Sequence, residues 1–414
     1  MSLADRRSGV DRSEGFGERL LGQLLDRAHE MPPRLVAPLI AEEVALVGGR
    51  DVTVLLQDYA RELLVPLPGR GLLVCDPQEI GDSAAGRAFL HASPVETEQS
   101  DGVRMYLPLL NGSDEVGVIA LTLDTVDGDD RRLLRRLAGL VADILVTKHA
   151  YTDQFFQARR REPMSVAAEM QWSLLPPLTM SVPQVAVGGA VEPAYRIAGD
   201  SFDYALNGTI LHAAVIDAMG HGLDAATMAT VTIGAYRHAR RAGINLDQKY
   251  AFMDRAVAQQ FGPDHFVTAQ MMHLDITTGL FQWVNAGHPA PLLIRDHQVI
   301  RHLEGPVTLP VGLGGDTPES REIQLRPGDR ILCYTDGVTE ERDRDGQPFG
   351  ADRLITCVNR LGQAGADGEM RASALRLSHT LKQQRGGRTS DDATLFMIEW
   401  RGDNPTDHLA NPRV

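Results

Sequence analysis

Apolar residues recur at helical spacing at Leu20, Leu21, Leu24, Leu25 and Ala28, and the stripe stops at Met31-Pro32-Pro33. A second stripe runs from Leu35 to Leu46 and stops at Gly48-Gly49. Both read as helices with one buried face, ended by residues that cannot continue them. The apolar runs then become short. Val52 to Gln57, Gly71 to Cys75, Val103 to Leu109 and Val116 to Leu123 read as strands, and Asn111-Gly112 joins the last two as a hairpin. From Asp129 onward Leu133, Leu134, Leu137, Leu140, Val141, Ile144 and Leu145 return to one face of a long helix. That stripe suits either a parallel helix pair between two subunits or packing on its own domain. Arg159-Arg160-Arg161-Glu162 reads as a solvated helix face before the breaker Pro163, and a further helix, Met164 to Leu175, ends at Pro176-Pro177.

Beyond Val185 the pattern mixes strands, long helices and Gly-rich turns, and acids stand where strands end. The run Ile210 to Ile216 reads as a buried strand that reaches Asp217, passes Gly220 and Gly222, and enters an Ala-rich helix from about Leu223 toward Arg241. Ala198-Gly199-Asp200-Ser201-Phe202-Asp203 precedes that strand. Thr335-Asp336-Gly337-Val338-Thr339-Glu340 follows the apolar run Arg330 to Tyr334, and Ser390-Asp391-Asp392-Ala393-Thr394 introduces a last strand, Leu395 to Trp400. Any one of these motifs is explained by turn and cap preferences. Carboxylates converging from several strand ends are a different matter, because their repulsion is relieved only by protons or hard cations. An all-oxygen set suits Mg²⁺ or Mn²⁺ and is poor for zinc; two such ions side by side can clamp a phosphoryl group.

Length and charge narrow the choice. The 414 residues suggest two domains and a connector. A net charge of −14 argues against a general nucleic-acid binder. No apolar run approaches the roughly 20 residues of a membrane span, and the charged start, Met1 to Arg19, lacks a signal-peptide core, so a cytoplasmic protein without a membrane segment is expected. Cys75, Cys333 and Cys357 are too scattered for a zinc site or a disulfide framework and read as small buried residues. There is no phosphate-binding P-loop, no nucleophile elbow and no zincin helix.

Taken together, the Asp200, Asp217, Asp336 and Asp391-Asp392 motifs, with Asn285-Ala286-Gly287-His288-Pro289 and the helix Ala168 to Pro176, resemble the metal-dependent protein phosphatases of type 2C. They are most similar to the bacterial branch that dephosphorylates anti-anti-sigma factors. The first section, through Arg104 to Leu109 and Gly117 to Leu121, resembles a GAF sensor domain. The resemblance implies an α+β chain: a GAF-like α/β/α domain at 18–150, a helical linker at 151–177, an αββα β-sandwich phosphatase domain at 178–402 and a tail at 403–414. It places Asp200, Asp217, Asp336 and, as the better match of its pair, Asp391 in the catalytic metal site, with the Ala218 carbonyl on one ion. It implies two Mn²⁺ or Mg²⁺ ions per site, bridged by Asp217, with Asp336 and Asp391 on one of them and Asp200 orienting the attacking water. Family members usually carry glycine where this chain has Ala198 and Ala218.

The implied reaction is hydrolysis of phosphoserine or phosphothreonine on an anti-anti-sigma-type protein, without a phospho-enzyme. The implied control is by the N-terminal sensor, with a possible small-molecule ligand there and a homodimer as the working unit. His221 and His288 read as structural residues of glycine-flanked turns, Asp203 and Glu340 as supporting groups or weak ligands, and Arg196 as a candidate phosphate contact. The competing reading is a catalytically silent phosphatase-like module that only binds a phosphorylated partner.

Overall fold

The computed structural model describes residues 14–112, 114–196, 199–341, 347–363, 370–384 and 392–402, and the chain divides between Pro163 and Met164 into two units. Ala198, Asp391 and the tail at 403–414 lie outside the described residues.

In the first unit the two opening stripes form α1 (Glu14–Glu30) and α2 (Val36–Leu46). They are followed by β1 (Arg50–Gln57), β2 (Leu63–Pro66), β3 (Gln78–Glu79), α3 (Ala84–Leu90), β4 (Val95–Gln99), β5 (Gly102–Asn111), β6 (Asp114–Leu123), α4 (Gly128–His149) and α5 (Gln154–Arg159). The sheet order is β3-β2-β1-β6-β5-β4, antiparallel at each pairing. Asp127 starts α4 with a reciprocal capping box to Asp130. The stripe on α4 is filled by its own unit: Leu133, Leu134, Leu137, Val141 and Leu145 share one core with Leu24, Ile40, Val44, Met105, Leu107 and Ile119. The strand expected over Gly71 to Cys75 does not form; Leu73 and Val74 are exposed, and the pairing partner of β1 is instead Leu63–Pro66, with Leu64 and Val65 buried. Nor is the basic cluster a simple solvated face, since Arg159 donates to the Gln57 carbonyl at 2.7 Å and lies over the Tyr59 ring.

The second unit runs α6 (Val166–Leu174), β7 (Thr179–Ser181), β8 (Val185–Glu192), β9 (Asp200–Asn207), β10 (Ile210–Ala218), α7 (Leu223–Arg241), α8 (Leu246–Phe261), β11 (Val267–Asp275) and β12 (Leu280–Ala286). It continues with β13 (Leu292–Arg295), β14 (Gln298–His302), β15 (Val307–Thr308), β16 (Arg321–Gln324), β17 (Arg330–Tyr334), α9 (Asp336–Thr339), α10 (Ala351–Gln363), α11 (Met370–Gln384) and β18 (Ala393–Trp400). One sheet is ordered β15-β12-β11-β10-β9, with β16 also on β12, and the other β14-β13-β17-β18-β8-β7. Alternation assigns the faces. Leu211, Ala213 and Val215 of β10 meet Ile331 and Cys333 of β17 and Phe396 and Ile398 of β18 in the layer between the sheets. The intervening residues Ala214 and Ile216 face Met228, Ile233 and Tyr250 of α7 and α8, while Leu332, Leu395 and Met397 face Leu354 of α10 and Leu377 of α11. The unit is a two-sheet sandwich with helices on both outer faces. Cys333 and Cys357 are buried as expected, whereas Cys75 is only partly so. Among the described residues no helix is long and apolar enough to cross a membrane.

Candidate metal centre

The hairpin β9–β10 determines which acids meet. Gly208 turns the chain at φ +60, and from the pair Asn207–Ile210 the register runs without a slip to Asp200–Asp217. Directly opposed residues on an antiparallel pair hold their Cβ atoms roughly 4.5–5.5 Å apart on one face, and like charges there repel. Both aspartates share the parity of Phe202 and Val215, so they extend the face between the sheets at one end. Thr335 and Asp392 continue the corresponding face of the second sheet beyond Cys333 and Phe396. The acidic groups therefore stand where the apolar layer of the sandwich opens.

Two contacts join the sheets at this rim. The Thr335 hydroxyl donates to Asp200 Oδ2 at 2.7 Å, and the Asp200 amide donates to Asp392 Oδ2 at 2.9 Å. Asp200 is 1% exposed and Asp392 5%. Burial first, then the charges of Asp217 and Asp392, hold the Asp200 carboxyl well above the usual carboxylate range, while the Thr335 hydroxyl pulls the other way. Asp217 and Asp336 are only half-buried. Asp336 begins α9 between Thr335, which touches Asp200, and Gly337, whose Cα packs so closely on strand β18 that an added Cβ would lie 1.8 Å from the Asp392 carbonyl. Gly199 is similarly confined, with a Cβ meeting the Ala218 carbonyl at 3.2 Å and Asp392 Oδ2 at 3.3 Å. The Ala218 amide in turn donates to the Gly199 carbonyl. Positive φ at Gly220 and Gly222 then turns the chain into α7.

The charges of Asp217 and Asp392 both act on Asp200, the Ala218 carbonyl lies beside Gly199, and Asp336 stands between Thr335, bonded to Asp200, and Gly337, packed on the Asp392 main chain. The expected ligand Asp391 lies outside the described residues, and its neighbour Asp392 is the carboxylate seen against Asp200. Among the described residues no three His, Cys, Asp or Glu side chains already stand as a ready ligand set for one ion. The donor chemistry nevertheless fits a hard divalent cation, since every group at the rim offers oxygen.

The supporting residues take bracing roles. Asp203 is not directed to an ion: it accepts from Arg237 at 2.7 and 2.9 Å and from Arg240, a fork that ties β9 to α7. His288 is buried; its Nδ1 lies 2.8 Å from the Thr268 hydroxyl, and its amide and carbonyl are both held by the Asn285 side chain. Burial pushes its pKa down to about 3, so it is a neutral brace. Thr268 pairs with Asp217 across β10 and β11, which puts this brace one strand from the acids. His221 and Arg196 are exposed. Thr335 and Gln171 were missed by sequence reasoning, and the latter donates to the Asp200 carbonyl at 2.8 Å. The available signal was a lone polar residue on the buried face of α6, among Ala167, Ala168 and Leu174.

Residues 207–401 match the family model described as Stage II sporulation protein E (SpoIIE), a span that includes Asp217, Asp336 and Asp392 and begins beyond Asp200. The chain is 26% identical over 194 residues to the phosphoserine phosphatase RsbP of Bacillus subtilis (strain 168), a match covering 45% of this chain and 47% of that protein. It is 25% identical over 192 residues to the phosphoserine phosphatase RsbU of the same organism, covering 46% and 57%. The chain thus spans about half the length of the curated relatives it matches. Among solved structures, the RsbU and RsbW domains of Rv1364c from Mycobacterium tuberculosis are 30% identical with a TM-score of 0.47, covering 54% of this chain and 63% of that one. The family match and the two phosphatase relatives agree, and residues 207–401 carry a domain of the SpoIIE/PP2C phosphatase type.

Proposed function

We propose that the C-terminal domain is a metal-dependent protein-serine/threonine phosphatase that hydrolyses phosphoserine or phosphothreonine on a regulatory protein of the anti-anti-sigma type, under control of the N-terminal unit. The observation that carries this reading is the opposition of Asp200 and Asp217 in register, with Asp392 against them from the other sheet. Such repulsion is relieved by a proton on Asp200 or by a hard cation, and the all-oxygen donor set suits the cation.

Asp217, Asp336, the Asp391-Asp392 pair and the Ala218 carbonyl, with Asp200 through the water it orients, are the groups that would hold Mn²⁺ or Mg²⁺. When bound, a pair of such ions supplies Lewis-acid polarisation of the phosphoryl group and acidifies water. The chain's own residues do the rest. Half-buried Asp217 and Asp336 face the solvent from which a phosphorylated side chain arrives, whereas buried Asp200, anchored by Thr335, is suited to orient water or to hold a proton. The braces at Asn285–His288 and Asp203–Arg237–Arg240 keep the two ends of this geometry fixed without entering it. The relatives named phosphoserine phosphatases support a phosphoserine substrate.

The test is direct. Purified full-length chain is titrated with Mn²⁺ by calorimetry and assayed on a phosphoserine peptide, beside Asp336→Asn. Metal-dependent turnover that the substitution reduces by roughly a hundredfold or more is expected. Full activity in Asp336→Asn would defeat the ligand assignment. Absence of both Mn²⁺ binding and turnover in the unmodified chain would leave the silent binding module.

A further inference from the structure

The helix that opens the second unit does more than cover the sheet. Ser165, the cap of α6, donates through its amide to the Tyr195 carbonyl at 2.8 Å and through its hydroxyl to the Arg196 carbonyl at 3.2 Å. Trp172 Nε1 donates to the Ala194 carbonyl at 2.9 Å, and Gln171 Nε2 to the Asp200 carbonyl at 2.8 Å. One short helix thus pins the irregular chain leading into β9 at several points, the last of them at Asp200 itself.

Gln171 is 4% exposed, in the middle of a face otherwise made by Ala167, Ala168 and Leu174. An amide buried there without a partner would be costly, and an apolar residue would satisfy packing alone. Its amide N–H instead fixes the peptide after Asp200, while the peptide before it is fixed by Asp392. With both adjoining peptides held, the Asp200 side chain has one direction from which to face Asp217.

We propose that Gln171 is a positioning residue for the acidic centre, acting through the main chain of Asp200, so that α6 sets how well the centre holds its ions. The inference rests on the phosphatase reading and adds to it a residue outside every acidic motif. Its consequence is that an altered Gln171 contact changes metal affinity and turnover and leaves phosphopeptide binding nearly alone.

The experiment uses the full-length chain with Gln171→Met, which keeps the length and removes the donor, and Gln171→Glu, which keeps the shape and replaces the amide nitrogen by oxygen. Calorimetry on metal-free protein measures Mn²⁺ binding, steady-state assay on a phosphoserine peptide separates kcat from KM, and circular dichroism follows unfolding. Misplacement by about an ångström costs on the order of a hundredfold, so a fall in kcat of about ten- to a hundredfold is expected. Mn²⁺ binding should weaken about tenfold, with KM within about twofold and folding retained. Variants that bind Mn²⁺ and turn over like the unmodified chain overturn the inference and leave the phosphatase reading intact. Collapse of the fold in both variants also overturns it, by making Gln171 a packing residue. An unmodified chain that neither binds Mn²⁺ nor turns over removes the phosphatase reading first and this inference with it.

Discussion

Replacing Gly337 by alanine adds one methyl group at the point where the Asp336 turn rests on strand β18. The new Cβ would lie 1.8 Å from the Asp392 carbonyl oxygen and 2.8 Å from its carbon. Both neighbours are main chain, so no rotamer change relieves the overlap; α9 or the start of β18 must move by an ångström or more to restore ordinary contact. Overpacking of this kind costs about 1–3 kcal/mol. For a unit of this size that corresponds to a fall of about 2–12 °C in the thermal midpoint. The same movement separates Asp336 from Asp392, and an ångström of misplacement is worth about a hundredfold in rate. Thermal unfolding of metal-free Gly337→Ala, followed by Mn²⁺-dependent hydrolysis of a phosphopeptide, measures both effects. Gly199→Ala provides the graded comparison: its Cβ meets main chain no closer than 3.2 Å, which calls for adjustments of a few tenths of an ångström and a smaller loss. A Gly337→Ala protein with unchanged midpoint and turnover would refute the claim that these two motifs are built against one another.

Three further outcomes follow from the same geometry. Burial and two neighbouring carboxylates raise the Asp200 pKa, so its contribution to stability is fully present below its unfolded value of about 3.9 and is lost as pH rises through the folded one. Asp200→Asn should therefore raise the thermal midpoint of metal-free protein at pH 8 while abolishing the stabilisation given by Mn²⁺; a lower midpoint would contradict the repulsion. Asp203→Ala leaves the buried Arg240 guanidinium without its carboxylate and should cost about 3–5 kcal/mol in denaturant unfolding, while Mn²⁺ affinity measured on folded protein stays unchanged; a selective loss of Mn²⁺ binding would return Asp203 to the ligand set. His288 and His273 are pushed down to about 3 and His212 to about 4, chiefly by burial. Their neutral forms support the fold fully above about pH 6.5, and that support is lost as pH falls toward those values, by roughly 1.4 kcal/mol per pH unit for each proton taken up on unfolding. His288→Gln should flatten the midpoint profile between pH 6 and 4, and an unaltered slope would show that His288 is not held neutral.

Much of the centre could be read along the chain because a hairpin is a local object. Gly208 lies between runs of alternating residues, and once that turn is granted, Asp200 must oppose Asp217. Helical stripes were equally legible where they were long, as in α4 and α7. Short apolar runs were not: Gly71 to Cys75 and Leu63 to Pro66 look alike as sequence, and which one pairs with β1 depends on which can be covered. For Asp203 the sequence left open a supporting group or a weak ligand, and only α7, which places two guanidinium groups on it, favours the first.

Period-two alternation along β9 and β10 thus puts Asp200 and Asp217 on one face of the hairpin, since parity along a strand decides a face whatever lies opposite. Parity cannot say what lies opposite. That Thr335 reaches Asp200 across the sheets, that Gln171 holds its main chain from a helix, and that Gly337 has room for no side chain are facts of long-range packing. Distances of that kind are set by how two layers close on each other, which no local stretch of chain contains.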